Sequence, residues 1–468
     1  MISLILLFPL AACFILFLLK KEALNSIMIN IYALIHLICS VCLCIGVNPI
    51  DIKQNFFGLD DLSRIFLIVL SIVFAAVSVY STGYMKDDAS GARRLRHYSY
   101  AVLLFVFSMT GVILSLNLGV MWVFIEAAAL ASTYLIYFHK TKHSIEAAWK
   151  YIFIGSIGIA LAFAGIIMLV ISSGSLNSLY FNDLYQNAEM LNKFWLKLSF
   201  VFILIGIGTK MGLSPMHFWL PDAHAEAVPP VSAMLSASLL NCAFFMLIKV
   251  FKIMILAHHS DYGRILLLAM GFLSLFIAAV FIYHINNYKR MLAYSSIENM
   301  GILALGAALG GTGMIAALMH LIGHSFIKAS FFMTSGNILK IYGSKKIEDV
   351  KGVLSADKKT GALWAASFLG IAAFPPSILF ISEFLMIKTM FERGFYIMGA
   401  AFFFLLLIIL YGLAKAVFYM AAGENKQPAE IKLPYSMYIP QIILLAAAFI
   451  SGIFMPYLDI MQSEALRF

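Results

Sequence analysis

Seven ionisable residues stand well inside apolar stretches of this 468-residue sequence: Glu126, Lys210, Glu298, His320, His324, Lys328 and Glu383. A charge at the centre of a bilayer costs about 2.5–3.5 kcal/mol on insertion scales, so such residues mark ion paths and proton relays. Acids and bases alternate along the set. A buried lysine prefers to be neutral, whereas a carboxylate brought up to it favours the ammonium. An acid–base pair whose separation changes is therefore a switch of proton affinity, with Glu126 and Lys210 the first pair to consider. Each residue also has an ordinary reading: a lone buried glutamate can simply hold helices together, and a lysine near a helix end can snorkel to the interface. Lys249, Lys252, Lys388 and Lys415 stand near the ends of apolar runs, where snorkelling is the default. Lys415 is the first of these to promote into the path, with Lys249 beside it.

His320, His324 and Lys328 are spaced i, i+4, i+8, which keeps them on one helix face over about 12 Å of rise. One histidine would be a satisfied core group; three stacked ionisable groups describe a proton wire or hydrated polar axis. Two histidines four apart can chelate a metal, but no HExxH glutamate lies between them and no third ligand is evident. Cys39, Cys42 and Cys44 lie in an apolar run without histidine or carboxylate at zinc spacing, and are expected to be small buried hydrophobes. Nucleotide, dinucleotide, iron–sulfur and haem signatures are all missing from the sequence.

The elements that must position these groups are transmembrane helices. The chain is 62% hydrophobic and 12% charged, more apolar surface than a soluble fold can hide. The expected fold is all-α and polytopic, with about fourteen spans. In the segment 206–231 (GIGTKMGLSPMHFWLPDAHAEAVPPV), Pro215, Pro221, Pro229 and Pro230 break the seventh span just beyond Lys210. Pro375 and Pro376 break the twelfth just before Glu383. Broken spans are a transporter feature, because each freed backbone group needs a partner within the protein. Spans four to eight and nine to thirteen match pairwise, and five helices per unit requires opposite orientations. The expected organisation is thus a three-helix segment at 1–95, a five-helix repeat at 96–260, its inverted counterpart at 261–425, and a final helix in 426–468. The net charge of +9 sits in alternate loops, including Lys20–Lys21, Lys289–Arg290, Lys345–Lys346 and Lys426. The positive-inside rule makes those loops cytoplasmic and puts both termini outside; nucleic acid is not implied.

Three segments carry a resemblance: 210–233 (KMGLSPMHFWLPDAHAEAVPPVSA), 289–301 (KRMLAYSSIENMG) and 320–338 (HLIGHSFIKASFFMTSGNI). They resemble the antiporter-like, proton-conducting membrane subunits of respiratory complex I and Mrp-type cation/proton antiporters, over the third to thirteenth spans. The Ser-Ser-Ile-Glu of the tenth span and the compact length look most like the hydrogenase-4 component F type, found in formate hydrogenlyase and group 4 membrane-bound hydrogenases. The resemblance implies that Glu126 is the fifth-span glutamate and Lys210 its seventh-span lysine. His320, His324 and Lys328 then occupy the polar axis of the eleventh span, and Glu383 the terminal position of the twelfth. One departure stands out. Where the family usually has a lysine or histidine in the eighth span, this chain offers Ser236, Ser238 and Asn241, so water would have to bridge Lys210 to Lys328.

The expected function is H⁺ or Na⁺ translocation as a cell-membrane subunit of a redox-driven complex, with lipid and other membrane subunits as neighbours. The resemblance implies no cofactor in this chain; [NiFe], iron–sulfur clusters or flavin would sit on peripheral cytoplasmic partners. A subunit of a multi-subunit Na⁺/H⁺ antiporter is the second reading. A stand-alone solute transporter would need a substrate cavity, and a non-conducting scaffold would not need the mid-membrane charges.

Overall fold

A computed structural model describes residues 1–21, 23–46, 56–86, 91–423 and 432–454. The first half comprises α1 (Ile2–Leu19), α2 (Ala23–Cys44), α3 (Asp61–Met85), α4 (Ala92–Leu114), α5 (Leu118–Ile136), α6 (Lys142–Ser173), the short α7 (Phe181–Gln186), α8 (Lys193–Met211), α9 (Trp219–Glu226), α10 (Pro229–Met234) and α11 (Leu240–Leu256). A π-helical turn, Leu235–Leu239, joins α10 to α11. The second half comprises α12 (Ser260–Ile282), α13 (Tyr288–Leu309), α14 (Thr312–Tyr342), α15 (Val353–Ala356), α16 (Lys358–Ile371), α17 (Ile378–Glu392), α18 (Tyr396–Ala421) and α19 (Ile439–Phe454). Among the described residues, 13 helices are long and apolar enough to cross a membrane. The pair α16–α17 supplies the remaining predicted span in two shorter pieces. The last basic loop, with Lys426, lies outside the described residues.

Alternate loops meet at opposite ends of the bundle. Isolated bridges join Phe57 to Ser115 and Asn117 to Tyr180 at one end, and Asn287 to Lys346 at the other. The second end carries the basic loops of α12–α13 and α14–α15. There Asp222 of α9 binds Lys150 at 2.9 Å and also Arg290, while Lys345 reaches Glu226 at 3.1 Å.

The seventh span is shorter than the sequence suggested. It stops at Met211 rather than near 219, and the chain re-forms a helix at Trp219. Groups around this break find partners inside the protein, as an apolar environment demands. The Trp219 indole donates to the Thr209 carbonyl at 2.8 Å, and the Ser214 N–H donates to Ser274 Oγ at 2.9 Å. At the C-terminal end of α9, Ser232 Oγ donates to the His224 carbonyl at 2.8 Å, and Lys289 Nζ to the Ala227 carbonyl. The ammonium complements the negative end of the helix dipole. Pro229 and Pro230 then open α10, where a missing N–H costs nothing. The twelfth span breaks similarly between Ile371 and Ile378: the Phe374 N–H returns to the Leu369 carbonyl at 3.0 Å, and Ser377 Oγ accepts from the Leu379 N–H at 3.3 Å. Gly452 of α19 seats against this break, where a Cβ would run into the Pro376 carbonyl.

Helices α6 and α8 pack through small residues, as membrane helices do when dispersion rather than hydrophobicity drives association. A Cβ at Gly206 would meet backbone atoms of Gly158 and Ala162, whereas one at Gly208 would meet the flexible tip of Met270 at 3.2 Å and make ordinary contact with Leu213 at 3.7 Å. Gly206→Ala is therefore expected to destabilise the purified protein by ~1–3 kcal/mol through overpacking. Gly208→Ala should be neutral or mildly stabilising, as alanine is the better helix former. Thermal melts followed by size-exclusion chromatography check the contrast; equal melting of the two variants would contradict it.

Candidate functional site: a buried file of ionisable groups

Lys210 occupies the last turn of α8, immediately before the break, and its side chain is 3% exposed. Its Nζ stands 3.5 Å from Glu126 Oε2 on α5 and 5.6 Å from the centroid of the Tyr151 ring on α6. Room for the ammonium comes from Gly155 of α6, where a Cβ would lie 2.7 Å from Nζ. A tight charge-assisted hydrogen bond spans about 2.7–2.9 Å, so this ion pair is loose. Glu126 Oε2 makes no hydrogen bond with the protein, which leaves the carboxylate held by charge rather than by directed contacts.

Beyond the break the file continues through α9, α10, the π-helical turn, α13 and α14. Ser236 Oγ and Ser296 Oγ share a hydrogen bond of 2.8 Å, joining the π-helical turn to α13. Asn241 Nδ2 donates to the Ala237 carbonyl and to Ser325 Oγ, both at 2.7 Å. The buried Asn241 Oδ1 and Ser238 Oγ have no protein partner. They line one small cavity of about 10 Å³, closed by Leu70, Ile113 and Leu321 among others. That is close to the space one water needs, and two unmatched polar atoms are what would hold it. The position where the sequence lacks a lysine or histidine thus has space for about one water and two polar side chains beside it.

On α14, Lys328 donates to the Leu292 carbonyl at 2.7 Å and lies within electrostatic reach of Glu298 on α13. His324, one turn away, is fully buried with neither ring nitrogen bonded to protein. His320 is wired on both sides: Nε2 lies 2.9 Å from Asn299 Oδ1 and Nδ1 lies 2.9 Å from Ser382 Oγ. The Asn299 amide is oriented by its own donation to the Ser295 carbonyl at 2.6 Å, so Oδ1 faces the ring and Nε2 carries a hydrogen. Ser382 has a single hydrogen for two acceptors, His320 Nδ1 and the Leu379 carbonyl at 2.8 Å. If the hydroxyl points to the ring, the imidazole is neutral. If it turns to Leu379, Nδ1 must bring its own hydrogen and the ring is an imidazolium. One hydroxyl rotation accommodates either protonation state. Glu383 follows Ser382 in α17 and lines a larger cavity together with Glu298.

Of the lysines expected to snorkel, Lys249 departs from its place: it is 3% exposed, pairs with Asp60 at 2.7 Å, and lies over the rings of Phe181 and Phe245. Burial alone would raise the Asp60 carboxyl, but the Lys249 ammonium and the Ser63 N–H hold it below the usual carboxylate range. Because Asp60 also caps α3, the pair pins α11 to the start of α3. Lys415 is exposed and lies 4.3 Å from the centre of the Tyr283 ring, outside the buried file. Lys388 does face outward, next to Glu392 at 3.7 Å.

Three buried histidines escaped the sequence reading: His224, His36 and His217, the last bonded to Ser214 Oγ at 3.1 Å. His224 of α9 is fully buried, has no protein partner for either ring nitrogen, and lies within electrostatic reach of Lys289, Lys328 and His324. It sits in a stretch that looks like polar loop, so its depth is invisible to hydropathy; the prolines around it were the available signal. His36 of α2 bonds Ser71 Oγ at 2.7 Å and Thr110 Oγ1 at 2.8 Å, tying α2, α3 and α4 together as a satisfied core group. Among the described residues, no three His, Cys, Asp or Glu side chains gather as a metal site, and all five cysteines are free.

Comparison with known proteins gives this arrangement a context. Residues 115–410 match the family described as NADH:quinone oxidoreductase/Mrp antiporter, transmembrane region, and residues 49–93 match the N-terminus of complex I chain 5. The chain is 32% identical to a hydrogenase-4 component F homolog of Methylacidiphilum infernorum, covering 97% of this chain and 96% of that one. It is 25% identical to an Na⁺/H⁺ antiporter subunit of Alkalihalophilus pseudofirmus, over 85% of this chain and 81% of the relative. Its fold is similar to a chain in the structure of the membrane-bound sulfane sulfur reductase, an archaeal respiratory membrane complex, with a TM-score of 0.89, 21% identity, and 98% and 96% coverage.

The cavity at Asn241 generates a direct test. Asn241→Leu fills it with an apolar side chain and leaves Ser325 Oγ without its donor, so ion transport measured in proteoliposomes should fall several-fold while the protein still purifies intact. Asn241→Asp, which keeps an acceptor beside Ser238, should retain more transport than the leucine variant. Unaltered transport by Asn241→Leu removes this step from the route.

Proposed function

This chain belongs to the NADH:quinone oxidoreductase/Mrp antiporter family of membrane subunits, and we propose that it translocates H⁺ or Na⁺ within a redox-driven, complex I-like assembly such as a membrane-bound hydrogenase. The observation that carries the reading is Lys210, buried at a helix break and facing Glu126 across 3.5 Å. With Glu126 close, Lys210 holds its proton; when Glu126 is drawn away, desolvation favours its release. The polar groups through Asn241, His324, Lys328 and Glu298 to His320 and Glu383 form the onward route. Moving one charge against the membrane potential costs about 2.3 kcal/mol per 100 mV, and nothing in this chain's residues supplies that energy. Partner subunits bearing [NiFe], iron–sulfur or flavin centres supply it. In the membrane the basic loops face the cytoplasm and both termini the outside, by the positive-inside rule. The two interrupted spans, α8–α9 and α16–α17, are the matching members of two five-helix repeats of opposite orientation, 96–260 and 261–425.

The match to an Na⁺/H⁺ antiporter subunit favours a second reading, in which the chain serves a multi-subunit antiporter driven by ion exchange alone. Purification of the complex from native membranes separates the two: hydrogenase or dehydrogenase subunits accompany the chain under the first reading, and only further membrane subunits under the second. Under either, Lys210→Ala and Glu126→Gln should abolish coupled ion movement in proteoliposomes while the complex remains assembled. Wild-type pumping by either variant would overturn the mechanism.

A further inference from the structure

Helices α13, α16, α17 and α18 line a half-open cleft of about 280 Å³, with Phe384 and Phe403 exposed at its rim. Its walls are apolar, with Phe380 and Phe384 from α17 and Phe403 and Leu407 from α18; the only polar side chains lining it are Glu298 and Glu383. Glu298 is 6% exposed, and its Oε2 has no hydrogen-bond partner in the protein. Glu383 forms no ion pair among the described residues. Lys328, a base within electrostatic reach of Glu298, also donates to the Leu292 carbonyl. On the opposite side, His320 contacts Ser382, the residue preceding Glu383.

We propose that Glu298 and Glu383 form one site for a single monovalent cation, a proton or Na⁺, held between the two carboxylates in this cavity. The charges require such an occupant. Two ionised carboxylates beside one ammonium leave a net negative charge against aromatic and aliphatic walls, which desolvation strongly disfavours. Two like charges in one apolar space cannot both stay ionised unless a cation lies between or beside them. The cavity exceeds one water in size, so an ion there can keep part of its hydration while the carboxylates supply hard oxygen ligands. The site rests on the ion-translocating reading of the chain and gives it a loading point. The cation enters when Lys328 withdraws from Glu298 and leaves when Lys328 returns.

An apolar carbodiimide tests this on the whole complex in native membranes, because it reacts with protonated carboxyls in apolar surroundings to leave a stable adduct. Peptide mass spectrometry reads the adduct at each glutamate. In a shared site, wild-type chains carry an adduct on Glu298 or Glu383 but rarely on both. In Glu298→Gln, labelling of Glu383 falls several-fold, since removal of the neighbouring charge lowers its need for a proton; Glu298→Asp restores it. At constant pH, protection of both acids by Na⁺ but not choline identifies Na⁺ as the occupant. Mutual dependence without Na⁺ protection identifies the proton. Equal labelling of Glu383 in wild type and Glu298→Gln, with doubly labelled chains, overturns the shared site. Labelling does not depend on pumping, so a failure here leaves the Lys210 test of transport standing, and the reverse also holds.

Discussion

The break in α8 depends on a simple constraint: backbone groups freed inside an apolar slab must be paired by the protein itself. Trp219, Ser274, Ser232 and Lys289 meet it, from α9, α12, α10 and α13 respectively. Four different elements are therefore fixed around one interruption. This converts a local weakness in one helix into a junction that organises its neighbours. It also explains how Lys210 can be buried at all, because the side chain stands at a helix end where α6 has a glycine and α5 a carboxylate. The conformational cost of the break is offset by contacts that also define the position of the charge.

The ion pairs that join helices at the two ends of the bundle are shorter than the one in its interior, although the exposed Lys388–Glu392 pair at 3.7 Å is looser still. At the basic end of the bundle, Asp222 gathers Lys150 and Arg290, and Lys345 holds Glu226. At the other end, Lys249 and Asp60 lie 2.7 Å apart. These pairs pin helices. In the interior, Glu126 and Lys210 stand at 3.5 Å, and Glu126 Oε2 and Glu298 Oε2 each lack a protein hydrogen bond. A structural pair gains from short, directed contacts. A pair that exchanged protons, as proposed for Lys210, would gain from their absence, since a small movement would then change the balance between attraction and desolvation. At His320, one serine hydroxyl can serve either the neutral or the charged imidazole.

Much of this was legible in the sequence because it is local. Hydropathy located the spans, and Pro215, Pro375 and Pro376 located both breaks, although the chain stops helical hydrogen bonding several residues earlier than the apolar run implied. The alternation of acids and bases in apolar stretches suggested the pairing of Glu126 with Lys210, and the resemblance implied the same. What stayed hidden depends on residues brought together by folding. Lys249 looked like a snorkelling lysine because its position near a helix end was visible, while Asp60, at the start of α3, was not an obvious partner. Lys415 looked equally plausible and points outward. His224 was passed over because a short helix between prolines reads as a polar loop. The common cavity of Glu298 and Glu383 could not be foreseen from either helix, since α18 contributes only apolar wall to it.

Asn241 defines how the two halves of the file can communicate. Its amide nitrogen is committed to Ala237 and Ser325, so only Oδ1 faces the small cavity shared with Ser238. An amide oxygen accepts hydrogen bonds but does not store a proton at neutral pH. A lysine or histidine here would place a third charge between Lys210 and Lys328 and would repel both. The neutral residue leaves the Glu126–Lys210 and Glu298–Lys328 groups as two electrostatic units separated by uncharged hydroxyls and one amide. A proton route between them, as proposed above, would need water in this cavity, because Asn241 itself stores no proton.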